Sequence, residues 1–155
     1  MKDNKNNSNL IDKETLLLES IFIDKVKTRI VTTHGTYYYE ESILKLLEDA
    51  CNRFGSTMQG RLQAIKKIMD YSVKTPLLIE PNGLGAFPTK SYRHVECVWI
   101  FNHPFYVDEL VKGKSVIHFM NGISIPVNTS KNVILKQHQR LHTSLNIYSI
   151  NHRKK

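Results

Sequence analysis

A single glycine between two helical patterns is the feature that most restricts how this chain can fold. Apolar residues recur every three to four positions up to residue 54, and Gly55 follows where a helix C-cap belongs. Ser56 and Thr57 can then accept hydrogen bonds from the first N–H groups of a second helix. The sequence therefore predicts two helices, over residues 41–54 and 57–71, joined by a tight corner.

The charge of the chain changes at the same corner. Residues 1–49 hold 7 Lys and Arg against 9 Asp and Glu, and residues 50–155 hold 15 against 5, so the two parts carry −2 and +10. A surface of positive sign attracts a polyanion, either nucleic acid or an acidic membrane surface. No apolar run approaches the roughly 20 residues of a membrane-spanning helix, so we expect no membrane span.

Length and composition indicate one domain. With 155 residues, of which 41% are hydrophobic, the chain can bury a core without disulfides or metal. We expect residues 1–12 to be a disordered tail, residues 13–150 a single domain, and residues 151–155 a basic C-terminal tail. Cys51 and Cys97 lie in apolar contexts with no signal peptide before them, which predicts buried, reduced thiols and a cytoplasmic protein.

Strand and turn signals fill the rest of the chain. Asn82-Gly83 and Asn121-Gly122 each predict a hairpin, and Pro126 predicts an edge or terminal position for the last strand. A helix capped by Thr129 or Ser130 should follow, to about Tyr148. Residues 105–114 have no clear pattern. The predicted strands are Thr15–Asp24, Val26–Thr33, Thr36–Tyr39, Thr75–Glu80, Leu84–Phe87, Val95–Phe101 as the central strand, Ser115–Met120 and Ile123–Val127.

These elements together predict the α+β class. The expected architecture is an antiparallel β-sheet of meander and hairpins with three packed α-helices.

The sequence offers little support for catalysis or metal binding. His138 and His142 have the spacing of a zinc helix, but glutamine stands where a metalloprotease needs its glutamate. His94, Cys97 and His103 surround a strand whose residues project to alternate faces, which keeps them apart. No nucleophile motif and no phosphate-binding loop with its lysine occurs. We therefore expect no metal, no cofactor and no enzymatic activity.

Nucleic-acid binding fits the basic part of the chain better. Lys and Arg can neutralise phosphates, and Arg can enter a narrow minor groove, where the negative potential is strongest. At the corner, the helix N-terminus and Arg61 could bind a phosphate oxygen, although an ordinary capped turn with a solvated basic face explains the same residues. The candidate DNA-binding residues are Arg53, Ser56, Arg61, Lys66, Lys67, Lys90, Arg93, Lys136 and Arg140.

Several blocks in a fixed order make the sequence similar to a known family. CNRFGSTMQGR, KTPLLIEPNGLGAFPT, HVECVWI and MNGISIPV resemble the competence transcription factor family of Gram-positive bacteria, ComK. In that family an FGSS-x-x-GR element precedes a proline-bounded strand and turn, an FPT tripeptide, a Trp-containing strand and an NG hairpin. The resemblance covers about residues 45–145. The matching positions are Phe54, Gly55, Ser56, Gly60, Arg61, Pro76, Pro81, Phe87, Pro88, Thr89, Trp99, Asn121 and Gly122.

The resemblance implies an activator that binds paired A·T-rich boxes, largely through the minor groove, and switches on DNA-uptake genes. The implied partners are double-stranded A·T-rich DNA, further copies of the chain in a homo-oligomer, RNA polymerase and a protease adaptor. Longer family members continue for some tens of residues beyond the last predicted helix, in a region associated with activation and adaptor contact. Among the motif residues, Arg61 is the expected DNA contact.

Two other functions remain open at this point. A basic RNA-binding module would need exposed aromatic side chains on a sheet, and Tyr37, Tyr38 and Tyr39 form the cluster that could serve. A small phosphate-ester enzyme would use Ser56, Arg61 and a histidine.

Overall fold

A six-stranded antiparallel sheet is the central layer of the fold. The computed structural model describes residues 11–80 and 82–153, and for residues 151–153 the backbone alone. Among these residues the elements are β1 (Thr15–Ile23), β2 (Val26–Thr32), β3 (Gly35–Tyr39), α1 (Ile43–Arg53), α2 (Met58–Met69), β4 (Leu77–Glu80), β5 (Leu84–Pro88), β6 (Val98–Phe101), β7 (Phe105–Val111), β8 (Lys114–Phe119), β9 (Ser124–Val127) and α3 (Lys131–Arg153). The central sheet has the order β3-β2-β1-β6-β5-β4, and β7-β8-β9 form a second sheet. The predicted α+β class is confirmed.

Both faces of the six-stranded sheet are covered. On one face Trp99 of β6 belongs to the same buried cluster as Leu47 of α1. On the other face Ile100 is buried together with Ile117 of β8 and Leu141 of α3. Each such side chain stabilises the fold by about 1.5–3 kcal/mol when fully buried. The protein is therefore layered, with α1 on one side of the sheet and the second sheet and α3 on the other. α2 contributes Met58 and Leu62 to the first cluster and Ile65 to the second.

The central position of β6 is confirmed, but the strand begins later than predicted. The apolar run starts at Val95, whereas pairing starts at Val98. The residues between them are used in turns, since the N–H of His94 donates to Ser91 O and that of Cys97 to His94 O, both at 3.0 Å. The N-terminal meander and the β4–β5 hairpin are confirmed.

The hairpin about Asn121-Gly122 is confirmed, but it belongs to the second sheet. Gly122 has a φ of 92°, which favours glycine, and β8 and β9 pair antiparallel on either side of the turn. Pro126 lies on the edge strand β9, as predicted. The segment without a clear pattern, residues 105–114, supplies β7. The single predicted sheet is therefore two sheets.

Both predicted tails differ from the structure at their inner boundaries. Ile11 is 1% exposed, and the N–H of Asp12 donates to Thr15 Oγ1 at 3.0 Å, so the packed domain already includes these residues. α3 does not end near Tyr148 but continues to Arg153. Other parts of the predictions fall on residues that the structure does not describe: residues 1–10, Pro81 and residues 154–155.

One face of α3 carries an apolar stripe. Ile134 and Leu141 are fully buried, and His138, Leu145 and Tyr148 on the same stripe are half-buried. Within the described ranges, no helix, α3 included, combines the length and apolar character that a membrane crossing requires.

The corner between α1 and α2 has the geometry that the glycine predicts. Gly55 adopts a φ of 78°, its N–H donates to Asn52 O, and the N–H of Ser56 donates to Cys51 O, both at 3.1 Å. These two bonds satisfy the last carbonyls of α1 as a Schellman motif. Thr57 caps α2 by accepting from the N–H of Gly60 at 2.9 Å.

We expect Gly55→Ala to lower the free energy of unfolding by about 1 kcal/mol, because a Cβ disfavours this left-handed conformation. A built Cβ meets no atom within 4 Å, so the cost is one of backbone conformation and not of a clash. Urea denaturation measures it as a lower midpoint at constant slope. Asn52→Ala, on the exposed surface of the same turn, is the control and should change stability by less than about 0.5 kcal/mol. Equal stability of Gly55→Ala and the wild type would contradict the prediction.

Candidate nucleic-acid interface

Strand directions bring separate segments to one end of the six-stranded sheet. β4 runs antiparallel to β5, with Leu77 opposite Ala86, so the chain before β4 and the chain after β5 emerge together. β6 begins opposite the end of β5, with Trp99 paired to Pro88, and the β1–β2 hairpin turns at this end also. We call this the Lys90 end; it consists of residues 23–26, 70–76 and 89–97.

A buried glutamine of α3 fixes two of these segments. Gln137 is 2% exposed, and its Nε2 donates to Lys74 O at 2.8 Å and to Pro88 O at 3.0 Å. Its Oε1 accepts from Arg140 at 2.6 Å, and the Arg140 guanidinium lies 3.8 Å from the centre of the Tyr71 ring. Arg140 is therefore at the Lys90 end, but its guanidinium is engaged within the chain.

A cleft of about 530 Å³ opens at the Lys90 end, next to the N-terminus of α3. Lys74, Lys90 and His94 contribute to its lining, and no ion pair or side-chain hydrogen bond among the described residues engages the two lysine amines. Its full lining is Lys74, Thr89, Lys90, Ser91, His94, Gly113, Asn128, Thr129, Ser130 and Val133. The cleft therefore combines two uncompensated positive charges with the positive end of a long helix dipole.

The carboxylates near this cleft are occupied by hydrogen bonds. Glu96 accepts from the amide of Asn128, and Glu109 Oε1 accepts from the N–H of Lys131 at 3.4 Å. Neither carboxylate forms an ion pair with Lys74 or Lys90 among the described residues. The hydrogen bonds orient both carboxylates and leave their negative charge in place, and the two lysine amines stay available to an anion.

Four further candidate residues are exposed on segments that reach the Lys90 end. Lys66 and Lys67 lie in the last turn of α2, Arg93 in the loop after β5, and Lys136 near the start of α3. Together with Lys90 and Arg140 they form a basic surface drawn from three segments. Their contact with DNA stays a prediction.

The other three candidates, Arg53, Ser56 and Arg61, lie at the opposite end of the sheet, at the α1–α2 corner. Arg61 donates to Phe54 O at 3.1 Å and to the Tyr148 hydroxyl at 3.5 Å, and its buried Nε has no partner in the described part of the chain. The guanidinium of Arg53 donates to a main-chain carbonyl, and Ser56 Oγ donates to a neighbouring carbonyl at 3.4 Å. Arg61 thus links the C-terminus of α1 to α3.

The tyrosines near the basic surface and on β3 do not form an open aromatic face. The Tyr92 hydroxyl donates to Thr75 O at 2.8 Å, its ring stacks on Trp99 with centroids 5.2 Å apart, and burial raises its pKa to about 12. Tyr39 is buried, and Tyr37 and Tyr38 are half-buried on the edge strand β3. The arrangement does not supply the open row of aromatic rings that an RNA-binding sheet uses.

The histidine pair of α3 and the two thiols are also accounted for by packing. His138 and His142 share a hydrogen bond of 2.9 Å between Nε2 atoms, and the His138 ring meets Phe105 edge to face, with centroids 4.5 Å apart. Within residues 11–80 and 82–153, no cluster of three or more metal-ligating side chains occurs. The predicted burial of Cys51 and Cys97 is confirmed, and burial raises the pKa of Cys51 to about 11.

Lys74 is a residue of the cleft that was not among the candidates predicted from the sequence. This residue adopts a φ of 49° just before β4, and its side chain lines the cleft opposite Lys90. The sequence did contain a signal for it: Lys74 stands in the KTP run just before a buried strand. A charged side chain at that position has to stay in solvent, at the end of the strand.

Comparison with known proteins identifies the family. The family described as "ComK protein" matches residues 6–155. The chain belongs to the ComK family. A competence transcription factor of Bacillus subtilis (strain 168) is 29% identical over 77 residues, which cover 49% of this chain and 40% of that protein. The match therefore spans less than half the length of this relative. No solved structure matches the chain.

The half-buried His138 should make stability depend on pH. Burial, and to a smaller extent the charge of His142, lower the pKa of His138 from 6.5 to about 4. The unfolded chain therefore takes up the proton first, and the fold loses stability as the pH falls from about 6.5 to about 4. We expect His138→Gln to lose less stability than the wild type between about pH 7 and pH 4.5, measured by urea denaturation.

The control for this prediction is His142→Gln. Because His142 is a minor cause of the pKa shift of His138, this variant should keep most of the pH dependence of the wild type. If the wild type and His138→Gln lose equal stability, another group causes the effect.

Proposed function

We propose that this protein is a DNA-binding transcription regulator of the competence type, and that it binds A·T-rich duplex DNA with the Lys90 end. Membership of the ComK family and the relative named as a competence transcription factor support the regulatory role. One observation carries the site: Lys74 and Lys90 line a cleft beside the N-terminus of α3 with no counter-charge bound to either amine among the described residues.

The chemistry of the cleft suits a phosphodiester backbone. A phosphate oxygen accepts hydrogen bonds from ammonium groups, and a helix N-terminus adds partial positive charge. Lys66, Lys67, Arg93 and Lys136 extend the positive surface beyond the cleft, which suits a partner that carries many phosphates in a row. The proposal also includes binding in the minor groove, recognition of paired A·T-rich boxes and assembly as a homo-oligomer. It further includes contacts with RNA polymerase and with a protease adaptor. These parts rest on the family resemblance.

Within this proposal Arg61 has a structural role. Its hydrogen bonds to Phe54 and Tyr148 hold the guanidinium between α1 and α3, and the corner lies away from the Lys90 end. A direct contact between Arg61 and DNA is the competing prediction, and the two differ in measurable ways.

We expect the double variant Lys74→Gln/Lys90→Gln to bind DNA more weakly and with a smaller salt dependence. The slope of log affinity against log salt should fall by roughly 1.8, because each lost phosphate contact removes about 0.9. Fluorescence anisotropy with a labelled A·T-rich duplex, over a series of salt concentrations, measures both quantities. An unchanged slope in the folded double variant would contradict the assignment of the site.

Two further variants calibrate this experiment. Lys13→Gln removes an exposed lysine just before β1, at the opposite end of the sheet, and should leave the slope unchanged. Arg61→Ala should lower stability and leave the slope unchanged if Arg61 is a structural link. A slope lower by about one at unchanged stability would instead make Arg61 a phosphate contact.

We also expect tighter binding to A·T-rich than to G·C-rich duplexes of equal length. Guanine places an exocyclic amine in the minor groove, which changes both its hydrogen-bonding pattern and its shape. Competition binding at about 0.15 M salt compares the two duplexes while exposed charges are screened. Equal affinities would remove the sequence preference and leave a basic surface only.

A further inference from the structure

The β1–β2 hairpin projects beyond the rest of the sheet at the Lys90 end. The last residue of β1 that pairs with β6 is Glu19, opposite Val98. β1 and β2 continue to pair with each other, through Ser20 opposite Thr28 to Ile23 opposite Val26. Four residues of β1 therefore extend past β6, which is about 13 Å at 3.3 Å per residue. The hairpin forms an arm beside the basic surface.

The tip of this arm is apolar and exposed. Phe22 is 77% and Ile23 is 59% exposed. Burying each would stabilise a fold by about 1.5–3 kcal/mol, and the described chain does not bury them. The turn itself needs neither residue, because Asp24, with a φ of 58°, and Lys25 make it. The apolar pair is therefore not explained by the fold of the single chain.

The narrow width of the tip favours insertion over docking on a flat surface. The pairing of β1 with β2 shifts register between Ser20 and Ile23, so the two apolar side chains do not follow the simple alternation of a strand. Both are exposed at the end of a ribbon that is only two strands wide. A narrow apolar tip of this kind suits a narrow apolar gap, such as the space between two adjacent base pairs.

Charges near the tip favour nucleic acid as the partner. Lys25 and Lys27 are exposed on the arm and outnumber the exposed carboxylate of Asp24 in its turn. The cleft with Lys74 and Lys90 lies at the same end of the sheet. The carboxylate of Glu19, lower on the arm, forms an ion pair with Arg29 and so adds little negative charge. An apolar tip with cations beside it matches apolar base planes flanked by phosphates.

We propose that the tip of the β1–β2 hairpin inserts Phe22 between two base pairs of the duplex bound at the Lys90 end, with Ile23 packed beside it. This proposal rests on the DNA-binding function proposed above. Apolar side chains that enter a duplex in this way unstack a base step and kink the DNA by about 20–90°. The lysines hold the phosphates and position the tip, and the tip unstacks and bends the duplex.

The test uses the full-length chain, an A·T-rich duplex and three readouts. Anisotropy gives the affinity and the salt slope. A base analogue whose fluorescence rises on unstacking, 2-aminopurine, reports insertion at successive steps, and energy transfer between dyes at the duplex ends reports bending. For the wild type we expect a local rise in 2-aminopurine fluorescence and a shorter end-to-end distance.

Phe22→Ala should abolish the rise in fluorescence and most of the bend, and should weaken binding roughly 5- to 150-fold, the range for losing one aromatic contact with a base. Its salt slope should equal that of the wild type, because no phosphate contact is lost. Phe22→Trp should retain the unstacking signal. Since Phe22 is 77% exposed, these variants are expected to fold as the wild type does.

Met120→Ala is the matched control. Met120 is 63% exposed in the turn after β8. Gly113, just before β8, lines the cleft, and β8 runs away from it, so the turn with Met120 lies at the far end of β8 from the cleft. It should leave affinity, unstacking and bending unchanged. A similar loss in Met120→Ala would show that the effects do not belong to the β1–β2 tip.

Three results would overturn the insertion. One is binding by the wild type that depends on Lys74 and Lys90 but gives neither unstacking nor bending; the proposed function then stands and the insertion fails. Another is a Phe22→Ala variant with unchanged unstacking. The third is wild-type binding to vesicles of anionic phosphatidylglycerol that Phe22→Ala abolishes while its DNA binding is unaffected, which would make the tip a membrane contact. A wild type that binds no duplex at all would remove both proposals.

Discussion

The buried amide of Gln137 holds together the part of the molecule on which the proposed interface depends. Its two N–H donors bond to the carbonyls of Lys74 and Pro88, and its oxygen accepts from Arg140, so all three polar functions are used in a site that is 2% exposed. A buried amide left without such partners would cost about 1–3 kcal/mol per group. Because Lys74 precedes β4 and Pro88 precedes Lys90, this one side chain fixes both lysine-bearing segments against α3.

The basic surface is a product of sheet topology. Lys74 and Lys90 lie on separate segments, before β4 and after β5, and they meet because antiparallel neighbours in the sheet start and end together. Their effect depends on what the nearby carboxylates do. Glu96 and Glu109 accept hydrogen bonds from Asn128 and from the main chain, which orients them without neutralising a lysine side chain. Both carboxylates keep their negative charge and lower the potential of the cleft, so its positive character rests on the amines of Lys74 and Lys90 and on the N-terminus of α3.

Local features were predictable from the sequence, and partners distant in the chain were not. Gly55 and the Asn121-Gly122 turn follow from backbone preferences over a few residues, and the structure has both. The division of the strands into two sheets depends on which faces are buried together, which no short pattern records. At the candidate site, Arg61 was singled out because its neighbours in sequence suggested a phosphate site. Its partner Tyr148 is 87 residues away. Lys74 was overlooked for the same reason, since its role depends on a cleft built from four separate segments.

The step in charge at residue 50 assigns the polyanion to the second part of the chain, but the folded protein does not keep the two parts separate. Several acidic side chains of the first part are engaged in the fold: Glu19 pairs with Arg29, Glu48 accepts from the N–H of Met58 at 3.1 Å, and Asp49 pairs with Lys45 at 3.0 Å. The β1–β2 arm from this acidic part turns at the same end of the sheet as the cleft. A net charge averaged over sequence halves hides this arrangement, because recognition depends on which groups remain uncompensated at one end of the sheet. The N-terminal meander thus belongs to the candidate interface although it comes from the part of the chain whose net charge is negative.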